Sequence, residues 1–129
     1  EGNGGVIYPE SHYGRDALVG VGLFLSHFVA EGKSMTALKA TYPQYFISKN
    51  KLTLSPDMDV DKILEGLKKK YASEEITDID GVKIDFKDGW VHLRKSNTEP
   101  IIRIYSESKD EAAANQLAEE VIKVAQSLY

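Results

Sequence analysis

The sequence predicts an α+β fold in which two helices cover one face of a four-stranded antiparallel sheet. Amphipathic patterns over residues 57–72 and 109–128 flank a region of short runs in which apolar and polar residues alternate. Asp-Gly pairs separate the first three runs, and Asp-Gly between alternating runs is the strongest short-range signal of a β-hairpin. Antiparallel sheets often pack one face against helices. We therefore predict this fold for residues 55–129, with a helical segment over residues 1–54 before it.

The composition excludes several classes of protein. A chain of 129 residues with 42% apolar content is long enough to bury the core of one ordinary domain or two small ones. Its net charge of −4 argues against a nucleic-acid binder driven by bulk electrostatics. The sequence lacks cysteine, which suits a reducing compartment, and it lacks an apolar run of membrane-spanning length. We expect a cytoplasmic protein with no nucleic-acid or membrane partner, and the opening EGNGG indicates a segment of a longer chain.

The first segment begins with a glycine-rich loop over residues 1–14. Apolar residues then recur at helical spacing over 15–31, and Asp16 lies where a negative charge favours the first turn. A second, short helix begins at Ser34, a typical N-cap residue. Residues 44–54 are rich in β-branched and aromatic side chains and have no helical period, so they are predicted to be extended.

The second segment reads helix, four strands and helix. The last helix, over 109–128, is predicted to begin with a capping box formed by Ser108 and Glu111. The four predicted strands are ITDI (76–79), VKIDF (82–86), WVHLR (90–94) and IIRIYSE (101–107).

The connection between the last two strands, RKSNTEPIIR, carries more polar chemistry than a turn requires. Arg94 and Arg103 end and begin the flanking strands, so hairpin geometry brings both guanidinium groups to one end of the sheet. A guanidinium fork matches phosphate oxygens bidentately. Ser96, Asn97 and Thr98 supply side-chain donors, and successive N–H groups in a tight turn can form an anion-binding nest. The loop is therefore a candidate phosphate site.

A second interpretation of this loop remains open. Nests recur at phosphate sites, but the carboxylate of Glu99 would repel a bound phosphate. In that interpretation the loop is a polar turn with a weakly stabilising Glu–Arg surface pair. Glu99 can also be reconciled with phosphate binding if it pairs with one arginine and orients it. Pro100 stiffens the loop and reduces the entropy lost on binding.

The stretch DGVKIDFKDGWVHLRKSNTEPIIRIYSES closely resembles the C-terminal domain of the α-D-phosphohexomutases. This family includes phosphoglucomutase/phosphomannomutase and phosphoglucosamine mutase. In it, an R-x-S-[GN]-T-E-P-x-x-R loop grips the substrate phosphate that is not being transferred. The resemblance implies a fold like that of the TATA-box-binding protein for this domain. It implies the following phosphate-binding residues: Arg94, Ser96, Asn97, Thr98 and Arg103.

The opening EGNGG resembles the sugar-binding loop of the third domain of the same family. The resemblance implies that Glu1, Asn3 and Gly4 contact sugar hydroxyls, with Asn3 standing where serine is usual. It also implies that residues 1–54 are the C-terminal part of domain three, an α/β domain, and that residues 55–129 are domain four.

The family resemblance implies an enzyme that moves a phosphoryl group between O1 and O6 of a hexose phosphate. The catalytic phosphoserine and the magnesium-binding loop of the family lie upstream of the matched region. The chain itself would therefore contain no catalytic residue and no metal ligand, and its partners would be the hexose phosphate and the upstream domains. The alternating aspartates of DMDVD (57–61) open a helix, where acidic residues favour the helix dipole, and are not interpreted as metal ligands.

A competing hypothesis is a non-enzymatic α/β module that binds phosphorylated ligands or proteins through the same loop. An RNA-binding module is disfavoured, because the chain is acidic and lacks paired aromatic residues on its central strands. The three histidines, His12, His27 and His92, are scattered and do not predict a metal site. Among them, His12 lies in a loop from which it could reach a ligand in a complete enzyme.

Overall fold

The structure, a computed structural model, describes residues 4–56 and 58–128, and its contacts divide the chain into two compact units, Glu1–Pro43 and Gln44–Tyr129. The first unit contains β1 (Ile7–Tyr8), β2 (His12–Arg15), α1 (Ala17–Glu31) and α2 (Met35–Lys39). The β1–β2 hairpin lies in the segment 1–14 that was predicted to be a loop and extends by one residue, Arg15, into the predicted helix. Helix α2 begins as predicted, since Ser34 is its N-cap and accepts a hydrogen bond from the Ala37 N–H. Asp16, predicted within the first turn of α1, is instead its N-cap and accepts a hydrogen bond from the Val19 N–H.

Helix α1 exposes apolar side chains within this unit. None of its residues is buried. The exposed fraction reaches 84% for Leu18 and 77% for Val29, and Phe24 and Phe28 stack with their ring centroids 6.0 Å apart. A contiguous exposed apolar surface of this kind is uncommon on a monomeric domain and marks a contact surface.

The second unit is an antiparallel sheet with two helices. It contains β3 (Phe46–Thr53), α3 (Val60–Lys70), β4 (Glu75–Thr77), β5 (Val82–Phe86), β6 (Gly89–Lys95), β7 (Ile101–Ser108) and α4 (Glu111–Gln126). The strand order is β3-β7-β6-β5-β4, and every pair of neighbours is antiparallel. The α+β class is confirmed, whereas the likeness to the TATA-box-binding protein stays a prediction.

The sheet has five strands, so the predicted count of four is wrong. The additional strand is β3, which pairs with β7 over eight residues, from Phe46 opposite Ser108 to Thr53 opposite Ile101. Residues 44–54 were expected to be extended, but no hairpin turn connects them to β7 and the sequence gives no local signal of this pairing. The boundary between the compact units therefore falls after Pro43 and not after residue 54. The assignment of the two parts to domains three and four stays a prediction.

One face of the sheet packs against α3 and α4 to form the core. Strand residues alternate between this face and the other, as the period of two requires. The buried residues of this core include Ile63, Leu67, Val82, Ile84, Val91, Leu93, Ile102, Ile104, Val121 and Ala125. In the part of the chain that the structure describes, no helix is long and apolar enough to cross a membrane.

The opposite face of the sheet, here called the open face, is polar. Its residues are half-buried or exposed. They include Lys49 and Lys51 of β3, Lys83 and Asp85 of β5, Trp90, His92 and Arg94 of β6, and Arg103, Tyr105 and Glu107 of β7. The open face therefore carries both arginines of the candidate site.

Helix α4 begins two residues later than the predicted capping box requires. Its N-cap is Asp110, whose Oδ1 accepts a hydrogen bond from the Ala113 N–H at 2.7 Å. Ser108 is the last residue of β7, and its hydroxyl donates to the Asp88 carbonyl oxygen at 2.7 Å. Because Ser108 pairs with both neighbouring strands, it cannot cap the helix.

Replacing Asp110 with alanine is expected to lower the free energy of unfolding by about 1 kcal/mol, the usual cost of losing an N-cap side chain. Urea denaturation of the chain measures it. The matched control is Glu119→Ala, which removes the same charge from an exposed position of α4 without touching the cap. Equal losses in both variants would contradict the assignment of Asp110 as the cap.

Candidate functional site

The candidate loop closes the hairpin between β6 and β7. The Ser96 N–H donates to the Ile101 carbonyl oxygen at 3.0 Å, and the Ile101 N–H donates to the Glu99 carbonyl oxygen at 2.8 Å. The Leu54 N–H, just beyond β3, donates to the Pro100 carbonyl oxygen at 2.9 Å. Backbone hydrogen bonds therefore fix both ends of a loop whose tip is exposed.

Arg94 and Arg103 are directly opposite each other in the register of β6 and β7. Directly opposed residues of antiparallel strands project from the same face of the sheet, with Cβ atoms about 5 Å apart. Their neighbours Leu93 and Ile104 are fully buried on the helix side, so the arginines lie on the open face. The structure thus brings together the two guanidinium groups that the sequence predicted to lie at one end of the sheet.

Each arginine pairs with a carboxylate. Arg94 Nε lies 3.0 Å from Asp80 Oδ2, and Arg103 Nη2 lies 3.6 Å from Glu99 Oε2. All four side chains are about half exposed, and ion pairs at such positions contribute about 0–1 kcal/mol to stability. Their effect here is on orientation, because a guanidinium has five N–H donors and each arginine keeps donors for a further anion. Glu99 occupies the position that an orienting partner requires.

Asp80 is the member of the site that sequence reasoning missed. It reaches Arg94 because the turn between β4 and β5 packs against β6 at Gly81, whose φ is +80°. A Cβ on Gly81 would overlap the Leu93 carbonyl oxygen and lie 3.0 Å from Arg94 Cα. His92 Nε2 lies 2.7 Å from the Asp80 carbonyl oxygen and, when protonated there, donates to it. The Asp80-Gly81 pair predicted a turn from the sequence. It did not predict that the carboxylate of Asp80 would lie beside Arg94.

The loop residues offer side-chain donors more than backbone donors. The Ser96 N–H already donates to the Ile101 carbonyl oxygen, and the Thr98 N–H donates to Ser96 Oγ at 3.4 Å. No residue of the loop has positive φ, so the nest built from alternating right-handed and left-handed residues is not formed. The hydroxyl oxygens of Ser96 and Thr98 lie 3.5 Å apart, and Asn97 is exposed at the tip. The side-chain donors that this loop presents are two hydroxyls and an amide, and a backbone nest of the turn type stays a prediction.

These side chains surround a shallow surface depression of about 210 Å³. It is lined by Arg94, Lys95, Ser96, Asn97, Thr98 and Arg103. Counted together with Asp80 and Glu99, the three cations of this group leave one net positive charge. Hydroxyl, amide and guanidinium donors around a cationic depression suit a phosphoryl group, because its oxygens are strong acceptors and arginine binds them bidentately.

The predicted sugar-binding loop is only partly described. Glu1 and Asn3 lie outside the described residues, and Gly4 has a left-handed conformation with a φ of +86°. In the same unit, His12 Nε2 lies 3.0 Å from Asp16 Oδ2. The hydrogen bond from the Val19 N–H, followed by that of His12, holds the pKa of Asp16 below its ordinary value. His12 thus contacts the N-cap of α1, and the roles of Glu1, Asn3 and Gly4 stay predictions.

The described residues include no group of three His, Asp or Glu side chains placed to hold a metal ion. Of the aspartates that alternate before α3, Asp59 accepts hydrogen bonds from the N–H groups of Asp61 and Lys62 and is the N-cap of that helix. This carboxylate serves the helix, so it does not fit the magnesium site that the family resemblance implies.

Comparison with known proteins identifies a family model and several relatives that are similar to this chain. Residues 50–124 match the family model for the phosphoglucomutase/phosphomannomutase C-terminal domain. The chain is 40% identical over 126 residues to the phosphoglucosamine/phosphogalactosamine mutase of Sulfurisphaera tokodaii, covering 96% of this chain and 28% of that protein. It is also 40% identical over 126 residues to the phosphoglucomutase/phosphomannomutase of Thermococcus kodakarensis, covering 96% of this chain and 27% of that protein.

A solved structure shares the fold. It is that of a phosphoglucomutase/phosphomannomutase family protein from Burkholderia thailandensis, with a TM-score of 0.64 and 24% identity over 95% of this chain and 27% of the other. The chain spans 27–28% of the length of these relatives. With 75 of its 129 residues inside the family model, the chain belongs to the phosphoglucomutase/phosphomannomutase family and corresponds to its C-terminal part.

Proposed function

We propose that this chain is the part of a phosphosugar mutase that binds the substrate phosphate not undergoing transfer. The opposed pair of Arg94 and Arg103 on the open face, beside the Ser96–Thr98 loop, is the observation that carries the proposal. The complete enzyme would interconvert hexose 1-phosphates and hexose 6-phosphates. Relatives with this domain are named phosphoglucosamine mutase, phosphoglucomutase and phosphomannomutase, and the preferred sugar of this protein is not part of the proposal.

The geometry suits a site that must accept either end of a sugar phosphate. Its donors surround a single phosphoryl group and leave the sugar to be recognised elsewhere, by the loop predicted at Glu1, Asn3 and Gly4. Asp80 and Glu99 orient the guanidinium groups and also limit the net charge, so a bound phosphate is held but can leave. Such exchange is required if the two phosphates of one substrate occupy the site in turn.

In the proposed reaction an enzyme phosphoserine transfers its phosphoryl group to the free hydroxyl of the hexose phosphate, which gives a bisphosphate. After the bisphosphate reorients, its other phosphoryl group returns to the serine. This chain contributes the phosphate-binding site at Arg94, Arg103 and the Ser96–Thr98 loop, here called the clamp. By holding one phosphate, the clamp fixes the distance between the reacting oxygen and the serine. Positioning of this kind provides much of the catalysis in phosphoryl transfer, so the clamp should influence turnover as well as binding. Magnesium, held by upstream residues, would neutralise charge on the transferred group.

Two observations support the presence of further domains in the complete enzyme. The relatives are between three and four times as long as this chain, which covers 27–28% of them. Helix α1 exposes Leu18, Val21, Leu25 and Val29, an apolar surface that upstream domains of the same enzyme would cover.

The isolated chain is expected to bind phosphate but to catalyse no mutase reaction. A coupled assay that detects hexose 6-phosphate formed from hexose 1-phosphate tests this, run on the chain and on the complete gene product at equal concentration. Activity of the complete product and none of the chain is the expected result. Turnover by the chain alone would contradict the proposal.

The same pair of proteins separates the mutase from a non-enzymatic phosphate-binding module. If the complete product binds hexose phosphates but converts none of the common ones, with magnesium and a catalytic amount of hexose bisphosphate present, the module is the correct interpretation.

A further inference from the structure

A row of three cationic side chains crosses the open face beside the Ser96–Thr98 loop, here called the phosphate loop. Lys51 of β3 is directly opposite Arg103 of β7, which is directly opposite Arg94 of β6. Opposed residues on neighbouring antiparallel strands lie on the same face, about 5 Å apart at Cβ. All three side chains are exposed. The row thus extends the arginine pair by one strand, toward the edge of the sheet.

Such a row is unfavourable without an anion, because like charges directly opposite each other in a sheet repel. Asp80 offsets the charge of Arg94 and Glu99 that of Arg103. Within residues 4–56 and 58–128, no carboxylate lies within ion-pair distance of Lys51. The charge of Lys51 is therefore the one in the row that is not balanced by a carboxylate of the described chain.

Arg103 connects the depression of the loop with the depression that Lys51 lines. Arg103 lines both the depression of the phosphate loop and a second one that Lys51, Lys49 and Tyr105 also line. A lysine ammonium on its four-carbon stem can swing toward an anion held by Arg103, because it is a compact charge with rotatable donors. Lys49 is placed differently: its Nζ lies 5.7 Å from the centre of the Tyr105 ring.

We propose that Lys51 is an additional cation of the phosphate site and binds the same phosphoryl group as Arg94 and Arg103. This inference rests on the proposed function. The residues that line the loop depression, counted with Asp80 and Glu99, carry one net positive charge. A phosphate monoester, in contrast, carries close to two negative charges at neutral pH. Lys51 raises the net charge of the site to two. The ligand class is thus a dianionic phosphomonoester, with Lys51 favouring the dianion over the monoanion.

The test uses the 129-residue chain and inorganic phosphate, followed by the amide NMR signals of Ser96, Asn97 and Thr98. Wild-type chain, Lys51→Met, Lys51→Arg and the matched control Lys49→Met are titrated at pH 7.5. Lys49 and Lys51 share a strand and a face, and they are about 7 Å apart along β3, so both variants lose one charge from the same face of the sheet. Dispersed amide signals elsewhere in the sheet establish that each variant is folded.

We expect Lys51→Met to raise the dissociation constant of phosphate by about three-fold, the effect of one exposed charge pair, and Lys51→Arg to restore it. Lys49→Met should have less than half of that effect. At pH 5.5, where the phosphate is mainly the monoanion, the difference between wild-type chain and Lys51→Met should shrink.

Two outcomes would overturn the proposal on Lys51: an unchanged dissociation constant in Lys51→Met, or an equal loss in Lys49→Met. Either leaves the proposed function intact, since the loop would still bind phosphate. The absence of any phosphate-dependent shift at Ser96, Asn97 and Thr98 in the wild-type chain would instead contradict the proposed function, and the inference with it.

Discussion

Replacing Arg103 with alanine in the complete enzyme should raise the KM for the hexose phosphate by about ten-fold or more, since a hydrogen bond to a charged group contributes about 1.5–3 kcal/mol. Arg103 is the central member of the cationic row and lines the loop depression. Turnover should fall as well, because a substrate held at one end only no longer presents its reacting hydroxyl at a fixed distance. Steady-state kinetics measure both constants.

Two further variants test whether the effect is specific to the guanidinium group of Arg103. Arg103→Lys keeps the charge but loses the planar fork, so it should recover only part of the loss. Lys62→Ala removes a positive charge from the surface of α3, where the side chain is 82% exposed, and should leave both constants near their wild-type values. Wild-type KM and kcat in Arg103→Ala would refute the assignment of this arginine to the phosphate site.

Replacing Gly81 with alanine should lower the free energy of unfolding by about 3 kcal/mol, because it combines an unfavourable left-handed residue with a backbone clash. The φ of Gly81 is +80°, and the added Cβ would overlap the Leu93 carbonyl oxygen. To relieve the overlap, the turn must move away from β6 and take Asp80 away from Arg94. We therefore expect weaker phosphate binding together with the loss of stability.

Thermal and urea unfolding of the second unit measure the first effect, and phosphate titration of the folded fraction measures the second. Ile79→Ala is the control, since Ile79 lies in the same turn, is 93% exposed and should change stability by less than about 0.5 kcal/mol. If Gly81→Ala unfolds at the same urea concentration as the wild-type chain, the close approach of this turn to β6 is wrong.

The parts of the fold with local signals could be predicted from the sequence. The Asp-Gly turns indicated the β5–β6 hairpin and the chain reversal before it, and amphipathic spacing indicated α3 and α4. Strand β3 was different, because its partner β7 lies more than forty residues away along the chain and no turn links them. The predicted N-cap of α4 was wrong for a similar reason. Ser108 fits a capping box by its spacing, but its pairing with two neighbouring strands keeps it in the sheet.

The candidate site also combines residues that could be predicted from the sequence with residues that could not. Arg94 and Arg103 flank one hairpin, so their proximity follows from the chain between them. Asp80 reaches Arg94 from the turn before β5, and Lys51 lies opposite Arg103 on β3; only the tertiary structure shows either arrangement. The loop backbone lacks the alternating right-handed and left-handed form of nest, since no loop residue has positive φ, and a nest in the turn conformation stays a prediction.

The position of β3 also affects the solubility of the protein. In the described chain β3 is an edge strand, so the backbone groups on its outer side are available to pair with a second molecule. Lysines on an edge strand oppose such pairing, because two approaching copies would bring like charges together. Lys49 and Lys51 provide this protection on β3. Phosphate bound beside Lys51 would weaken it, so ligand and protein concentration together would set the tendency of this chain to aggregate.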